Sequence, residues 1–186
     1  MKNILVMKSQ KTYPFYFNFL LLISAVLFLT ATPVTANKSV YGYLEPVTLA
    51  PDEVTLTAKL DTGAETASIS ATDIHLYEKE GEAYVKFNVS HPKLEQTLHY
   101  NLPIVRYSKI KRRAIDDTQA QKYHSRPVVK IQIHFDGKPY NIMVNLIDRS
   151  RFSTPLLLGR KALEKVDAIV DSTVANTLLV KNRGYY

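Results

Sequence analysis

The chain has 186 residues, a formal charge of +7, no tryptophan and no cysteine. That length holds one domain with a real core and is too short for two large ones. The absence of cysteine excludes a disulfide framework, a thiol nucleophile and a cysteine-based metal site, and leaves the redox compartment open.

Residues 1–36 have the layout of a secretory signal peptide. Lys2, Lys8 and Lys11 form a positive n-region, and Phe15 to Leu29 is an apolar run broken only by Asn18 and Ser24. Val34 and Ala36 fit the small-x-small rule, which puts cleavage after Ala36. An uncleaved anchor is the alternative, but the run is shorter than the roughly 20 residues that span a bilayer. Residues 37–186 therefore read as a single secreted or periplasmic domain with no stable membrane span. Losing the three signal lysines lowers the charge from +7 to +4, which weakens any case for a nucleic-acid partner.

The mature chain opens with strand-like residues from Ser39 to Leu49, with Pro46 marking an edge or a bend. After the turn at Ala50-Pro51-Asp52, Val54 to Asp61 reads as a strand, and it runs into Asp61-Thr62-Gly63. A carboxylate at a strand end, followed by a small hydroxyl residue and a glycine, is the local chemistry of an aspartic peptidase. Gly63 permits a sharp turn and a close approach, and the Thr62 hydroxyl can bond across a neighbouring loop. The same tripeptide also makes an ordinary strand-ending turn.

Thr66 to Ala71 predicts a short strand, with Thr72-Asp73 turning the chain into Ile74 to Tyr77. Glu80-Gly81-Glu82 predicts a hairpin turn before an alternating strand from Ala83 to Val89. In the long segment from His91 to Ser125, Leu98 to Tyr107 is a candidate extended arm and the segment as a whole is the best candidate for a lid; Lys109, Lys111, Arg112 and Arg113, with Lys122 and Arg126 nearby, make its basic cluster. This cluster is either a solvated loop or a contact for an acidic substrate such as a glutamate-rich peptide. Arg126 to Phe135 alternates, Asp136-Gly137 is a hairpin signal, and Tyr140 to Ile147 is the return strand. Pro155 to Gly159 reads as a buried strand and Arg160 to Lys165 as the one helix. Ala168 to Val170 and Thr177 to Val180 close the chain as strands. Many short strands with one short helix near the end predict an all-β, barrel-like domain.

The order of these features resembles the retropepsin-like aspartic peptidases, and among them the bacterial group labelled ATP-dependent zinc proteases. The resemblance rests on Gly42 to Glu45, Ala58 to Ser68, Tyr84 to Phe87, Arg126 to Val129, Asn145 to Ser150, Leu156 to Arg160, and Val166-Asp167. It implies a closed retropepsin barrel with one short C-terminal helix. It also implies that Asp61 is the catalytic aspartate, with Thr62, Gly63 and Ala64 completing its loop. Gly159 and Arg160 match the family's Gly-Arg, where the arginine braces that loop. Arg126, Asp148 and Arg149 belong to the group's signature and receive no chemical role from it. A buried Asp148–Arg149 brace is the plain structural expectation for the last two.

The label "zinc protease" predicts a metal site, yet His75, His91, His99, His124 and His134 fall in no ligand spacing, and there is no P-loop. The expectation is a peptidase with no metal and no cofactor. Such chemistry needs two facing carboxylates that share one proton. The chain offers one Asp-Thr-Gly; Asp171-Ser172-Thr173 lacks the glycine. The sequence therefore predicts a homodimer with Asp61 of each protomer at the two-fold axis, acting on a peptide or protein substrate. The competing reading is a catalytically inactive retropepsin fold that binds peptides in the cell envelope.

Overall fold

The computed structural model describes residues 38–50, 52–111 and 123–182. The signal segment 1–36 and the basic residues Arg112, Arg113 and Lys122 lie outside the described residues. So do the candidate-lid residues 112–122.

The domain is built almost wholly of strands: β1 (Ser39–Gly42), β2 (Leu44–Ala50), β3 (Val54–Asp61), β4 (Ala67–Lys79), β5 (Glu82–Val89), β6 (Leu98–Lys111), β7 (Tyr123–Phe135), β8 (Lys138–Ile147), β9 (Leu156–Gly159) and β10 (Ala168–Asp171). Helix α1 (Arg160–Lys165) joins β9 to β10, and α2 (Thr177–Asn182) follows β10. Eight strands form one sheet in the order β2-β3-β9-β4-β5-β6-β7-β8. Extra pairings of β2 with β7 and of β4 with β8 bend this sheet back on itself, so that it nearly closes into a ring. This is the barrel that the sequence predicts. β1 and β10 stand apart as a two-stranded parallel sheet.

Strand alternation fills the barrel. Leu56, Ala58 and Leu60 of β3 face inward, as do Val85, Phe87 and Val89 of β5, Ile131 and Ile133 of β7, and Ile142, Val144 and Leu146 of β8. Leu156 and Leu158 of β9 are fully buried between β3 and β4. The hairpins turn where the sequence places them. Glu80 and Gly81 have φ of 54° and 80°, and Asp136 and Gly137 have 47° and 71°, the left-handed pair that a two-residue hairpin needs.

Two expectations are corrected, and one candidate segment is refined. The turn expected at Thr72-Asp73 is an irregularity inside one long strand, β4, where Asp73 takes a φ of 49° and the register to β5 shifts. Among the described residues the segment from His91 is largely regular, and the candidate arm at Leu98 to Tyr107 lies within a strand. Leu98–Lys111 is strand β6, paired to β5 and β7, and His91 is itself buried. Finally, the expected closing strand at Thr177 is helix α2, a second short helix. The cause is Glu45. This buried carboxylate on the inner face of β2 accepts bonds from the backbone N–H groups of Thr177 and Leu178 at 2.9 and 3.1 Å, and from the Thr177 hydroxyl. A helix start has N–H groups with no acceptor of their own, and Glu45 supplies one.

Candidate active site

The site lies where β3 ends. Side chains alternate along the strand, so Leu60 enters the core while Lys59 and Asp61 share the opposite face. β9 runs parallel beside β3 and places Gly159 next to Asp61. The two stretches singled out in the sequence, almost a hundred residues apart, therefore meet at one strand end.

The loop after Asp61 is held carbonyl by carbonyl. Arg160 Nη1 donates to the carbonyl oxygens of Thr62 and Gly63 at 3.1 and 3.2 Å. The next two carbonyls, of Ala64 and Glu65, accept from the backbone N–H groups of Arg160 and Lys161 at 2.8 and 3.2 Å. The free N–H groups of the α1 start are thus spent on the loop after Asp61. Gly159 allows this approach, since a β-carbon there would lie 2.6 Å from the Thr66 carbonyl oxygen and 2.8 Å from that of Ala64. On the outside, Lys161 pairs with Glu65 at 2.7 Å, both well exposed.

Within the loop, the Gly63 N–H donates to Asp61 Oδ1 at 2.9 Å. Gly63 does not adopt a left-handed φ, so its use is room. A β-carbon at Gly63 would sit only 3.2 Å from Oδ1. The Ala64 N–H closes the turn onto the Asp61 carbonyl at 3.2 Å. Thr62 contributes its carbonyl to the Arg160 contact; its hydroxyl has no partner among the described residues.

Lys59 Nζ lies 3.2 Å from Asp61 Oδ2, with the two side chains 44% and 25% exposed. Partial burial pushes the Asp61 carboxyl up, but the Lys59 ammonium and the Gly63 and Ala64 N–H groups outweigh it and hold the carboxyl below its usual value. Sequence reading passed over Lys59 as a site residue. Its signal was the two-residue strand period that puts it on the face of Asp61.

Arg149 is 4% exposed. Its Nε donates to the Thr154 carbonyl at 3.0 Å and its Nη1 to the Ser68 hydroxyl at 2.9 Å, while its own N–H reaches the Ser70 hydroxyl at 3.2 Å. The guanidinium also stacks 4.6 Å from the Phe152 ring centre. Burial pulls its pKa down, the nearby Arg126 adds to that, and the Asp61 charge opposes both. Arg149 therefore feels charge of both signs, from Arg126 and from Asp61. The expected Asp148–Arg149 brace is absent: Asp148 is exposed and accepts from the Ser150 N–H of its own turn at 2.8 Å. Asp148 lies in the turn that follows β8, and only Arg149 is buried.

Asn145 was not singled out as a site residue, though it supports the far end of the loop. Its Nδ2 donates to the Ala67 carbonyl at 2.7 Å and to Thr66 Oγ1 at 3.3 Å. Among the described residues no group of three or more histidine, aspartate or glutamate side chains is placed to hold a metal ion.

Comparison with known proteins agrees with this geometry. A crystal structure of a protein of unknown function from Legionella pneumophila superposes with a TM-score of 0.62 at 37% identity, covering 76% of this chain and 98% of that one. A protein of Desulfotalea psychrophila named "Probable alpha-L-glutamate ligase" is 28% identical over 57% of this chain. One of the same name from Shewanella pealeana is 29% identical over 57%. The chain spans only 22% of the length of each of these two relatives. The RimB-like family, described as retropepsin-like aspartic endopeptidase RimB, matches residues 40–178. With the Asp61 loop, the Gly159-Arg160 brace and the nearly closed barrel in place, the chain belongs to the RimB-like family of retropepsin-like aspartic endopeptidases.

Proposed function

We propose that the protein is an exported aspartic endopeptidase whose catalytic pair is Asp61 from each of two protomers. The observation that carries this is the preparation of a single carboxylate. Asp61 is oriented by the Gly63 N–H, and its loop is fixed through four successive carbonyls by the start of α1. That is far more support than a strand-ending turn needs. One such carboxylate is half of a site, and the unpartnered Thr62 hydroxyl beside it suits a facing copy of the same loop.

In the dimer, two carboxyl groups at short range share one proton. The charged Asp61 takes a proton from water as the water oxygen bonds to the scissile carbonyl carbon. The protonated Asp61 gives its proton to the carbonyl oxygen, forming a gem-diol. The first aspartate then protonates the amide nitrogen, the C–N bond breaks, and the diol returns a proton to the second. The pair ends as it began, and the step needs no cofactor.

The substrate reading is an acidic peptide. Relatives named as alpha-L-glutamate ligases carry a segment similar to this domain, and the Lys59 ammonium lies 3.2 Å from Asp61. Export rests on the signal-like segment at 1–36. The test is cleavage of a mixed peptide library across pH by the dimeric protein and by Asp61→Asn. Cleavage of peptides by the parent, lost in the variant, supports the reading. Equal cleavage by both, or full activity in a monomer, contradicts it.

A further inference from the structure

A cavity beside α1 is not used by the reaction described above. Its volume is about 460 Å³, within the range of small-ligand sites. Strands β6, β7 and β8 supply one wall and α1 another. Thr66 and Ala67, where the Asp61 loop passes into β4, supply a third. A bulge shapes the first wall. The pairing of β6 with β7 slips between Ile104 and Arg106, and Val105 and its neighbour Arg106 both line the cavity. In a regular strand they would point to opposite faces. Lys130 and Met143 are partners across β7 and β8. On α1, Lys161 and Lys165 lie one turn apart on a single face.

Four cations therefore line one cavity, Arg106, Lys130, Lys161 and Lys165, and among the described residues no carboxylate does. Lys161 is held by Glu65 at 2.7 Å. Lys165 Nζ donates to the Asn141 carbonyl at 2.5 Å, which positions its ammonium without neutralising it. Between the charges the lining is apolar, and Val105 and Met143 are left 51% and 52% exposed. Cations around an apolar patch complement carboxylates carried on short aliphatic stems, the chemistry of a glutamate side chain. Asp61 is not part of this lining. Two of the walls nevertheless belong to the support of its loop: the Lys161 N–H bonds the Glu65 carbonyl at 3.2 Å, and Gly159 lets β9 close on the Thr66 carbonyl. A ligand here lies beside the loop and apart from the reacting carboxylate.

We propose that this cavity is an exosite, which holds an acidic stretch of the polypeptide substrate away from the bond that is cut. The proposal rests on the peptidase reading for its setting and deepens it by giving the acidic-substrate contact a place. Holding one part of a chain makes the arrival of another part at Asp61 an intramolecular event. The exosite therefore acts on KM and leaves kcat alone. Arg106 and Lys130 are binding residues and move no protons.

The test separates the exosite from the chemistry. The full-chain Asp61→Asn protein is titrated calorimetrically with a short oligoglutamate and with its oligoglutamine counterpart. Oligoglutamate binds, and oligoglutamine binds at least about tenfold more weakly. Arg106→Gln combined with Lys130→Gln weakens oligoglutamate about tenfold, the scale of two exposed ion pairs. Lys79→Gln combined with Lys138→Gln removes as much charge from exposed positions outside the cavity and leaves binding as it was. All four positions are exposed, so thermal unfolding does not change. The location is read from the Met143 methyl resonance, assigned by its loss in Met143→Leu, which shifts as oligoglutamate is added. Equal weakening in the two double variants overturns the proposal, because net charge alone then explains binding. Binding that leaves the Met143 methyl unmoved also overturns it. A parent that cleaves nothing, yet binds oligoglutamate at Met143, overturns the proposed function and supports the site. A parent that cleaves an acidic peptide with a KM unchanged by Arg106→Gln and Lys130→Gln overturns the exosite alone.

Discussion

The Lys59 ammonium lies 3.2 Å from Asp61 Oδ2, two residues away on the same face of β3. An aspartic dyad works with one shared proton, and a fixed cation beside it makes that proton harder to keep. In the proposed dyad, lysine at this place would tune the pH range of activity.

Replacing Lys59 by methionine removes the cation and keeps the length of the side chain. The Asp61 carboxyl, held below its usual value in the parent, then titrates at higher pH. The alkaline limb of kcat/KM, which follows loss of the shared proton, moves up in the same direction. A depressed carboxyl stabilises the fold above its unfolded pKa, near 3.9, and loses that stabilisation as pH falls through its folded value. Because the pair is partly exposed, the stability change on losing Lys59 stays within about 1 kcal/mol. Rate profiles across pH and carbon NMR of the Asp61 carboxyl check both directions.

Arg160→Ala returns the Thr62 and Gly63 carbonyls to water. These bonds are exposed, so unfolding free energy falls by only about 1 kcal/mol. The rate falls further, by about tenfold or more, since small misplacements of a catalytic group are costly. Lysine at 160 rescues in part, because both carbonyls bond the single nitrogen Nη1 and an ammonium also offers more than one donor. Comparing kcat with denaturant midpoints separates the two effects.

Glu45→Ala strands the N–H groups of Gly42, Thr177 and Leu178, which the buried carboxylate now satisfies. The expected loss is about 3 kcal/mol or more. Glu45→Gln loses less, because its amide oxygen can keep the three bonds made to Oε1 and only the Leu178 N–H is left facing a donor. Urea unfolding of parent and variants measures the loss. α2 frays before the barrel melts, visible as early loss of amide protection at residues 177–180.

Much of this architecture is legible in the chain, for local reasons. Glu80-Gly81 and Asp136-Gly137 announce hairpins because few other pairs tolerate two left-handed residues. The alternation from Val128 to Phe135 declares a strand with one buried face. The misreadings are equally physical. Thr177 to Val180 looks like a strand by composition, and becomes a helix because its cap, Glu45, lies 132 residues away. Asp148 and Arg149 look like a pair because they are adjacent, yet Asp148 is spent on its own turn and Arg149 is buried against Ser68 and Thr154. The Arg149 contacts with Ser68 and Thr154, and those of Asn145 with the loop end, appear only once β4, β8 and β9 are side by side.

The account stands most directly on Asp61. The decisive measurement is kcat/KM for an acidic peptide across pH, made on the dimeric parent and on Asp61→Asn. The account predicts a bell-shaped profile for the parent and a loss of about a thousandfold or more in the variant, whose amide cannot hold and release the shared proton. Cleavage by Asp61→Asn at the rate of the parent would contradict it.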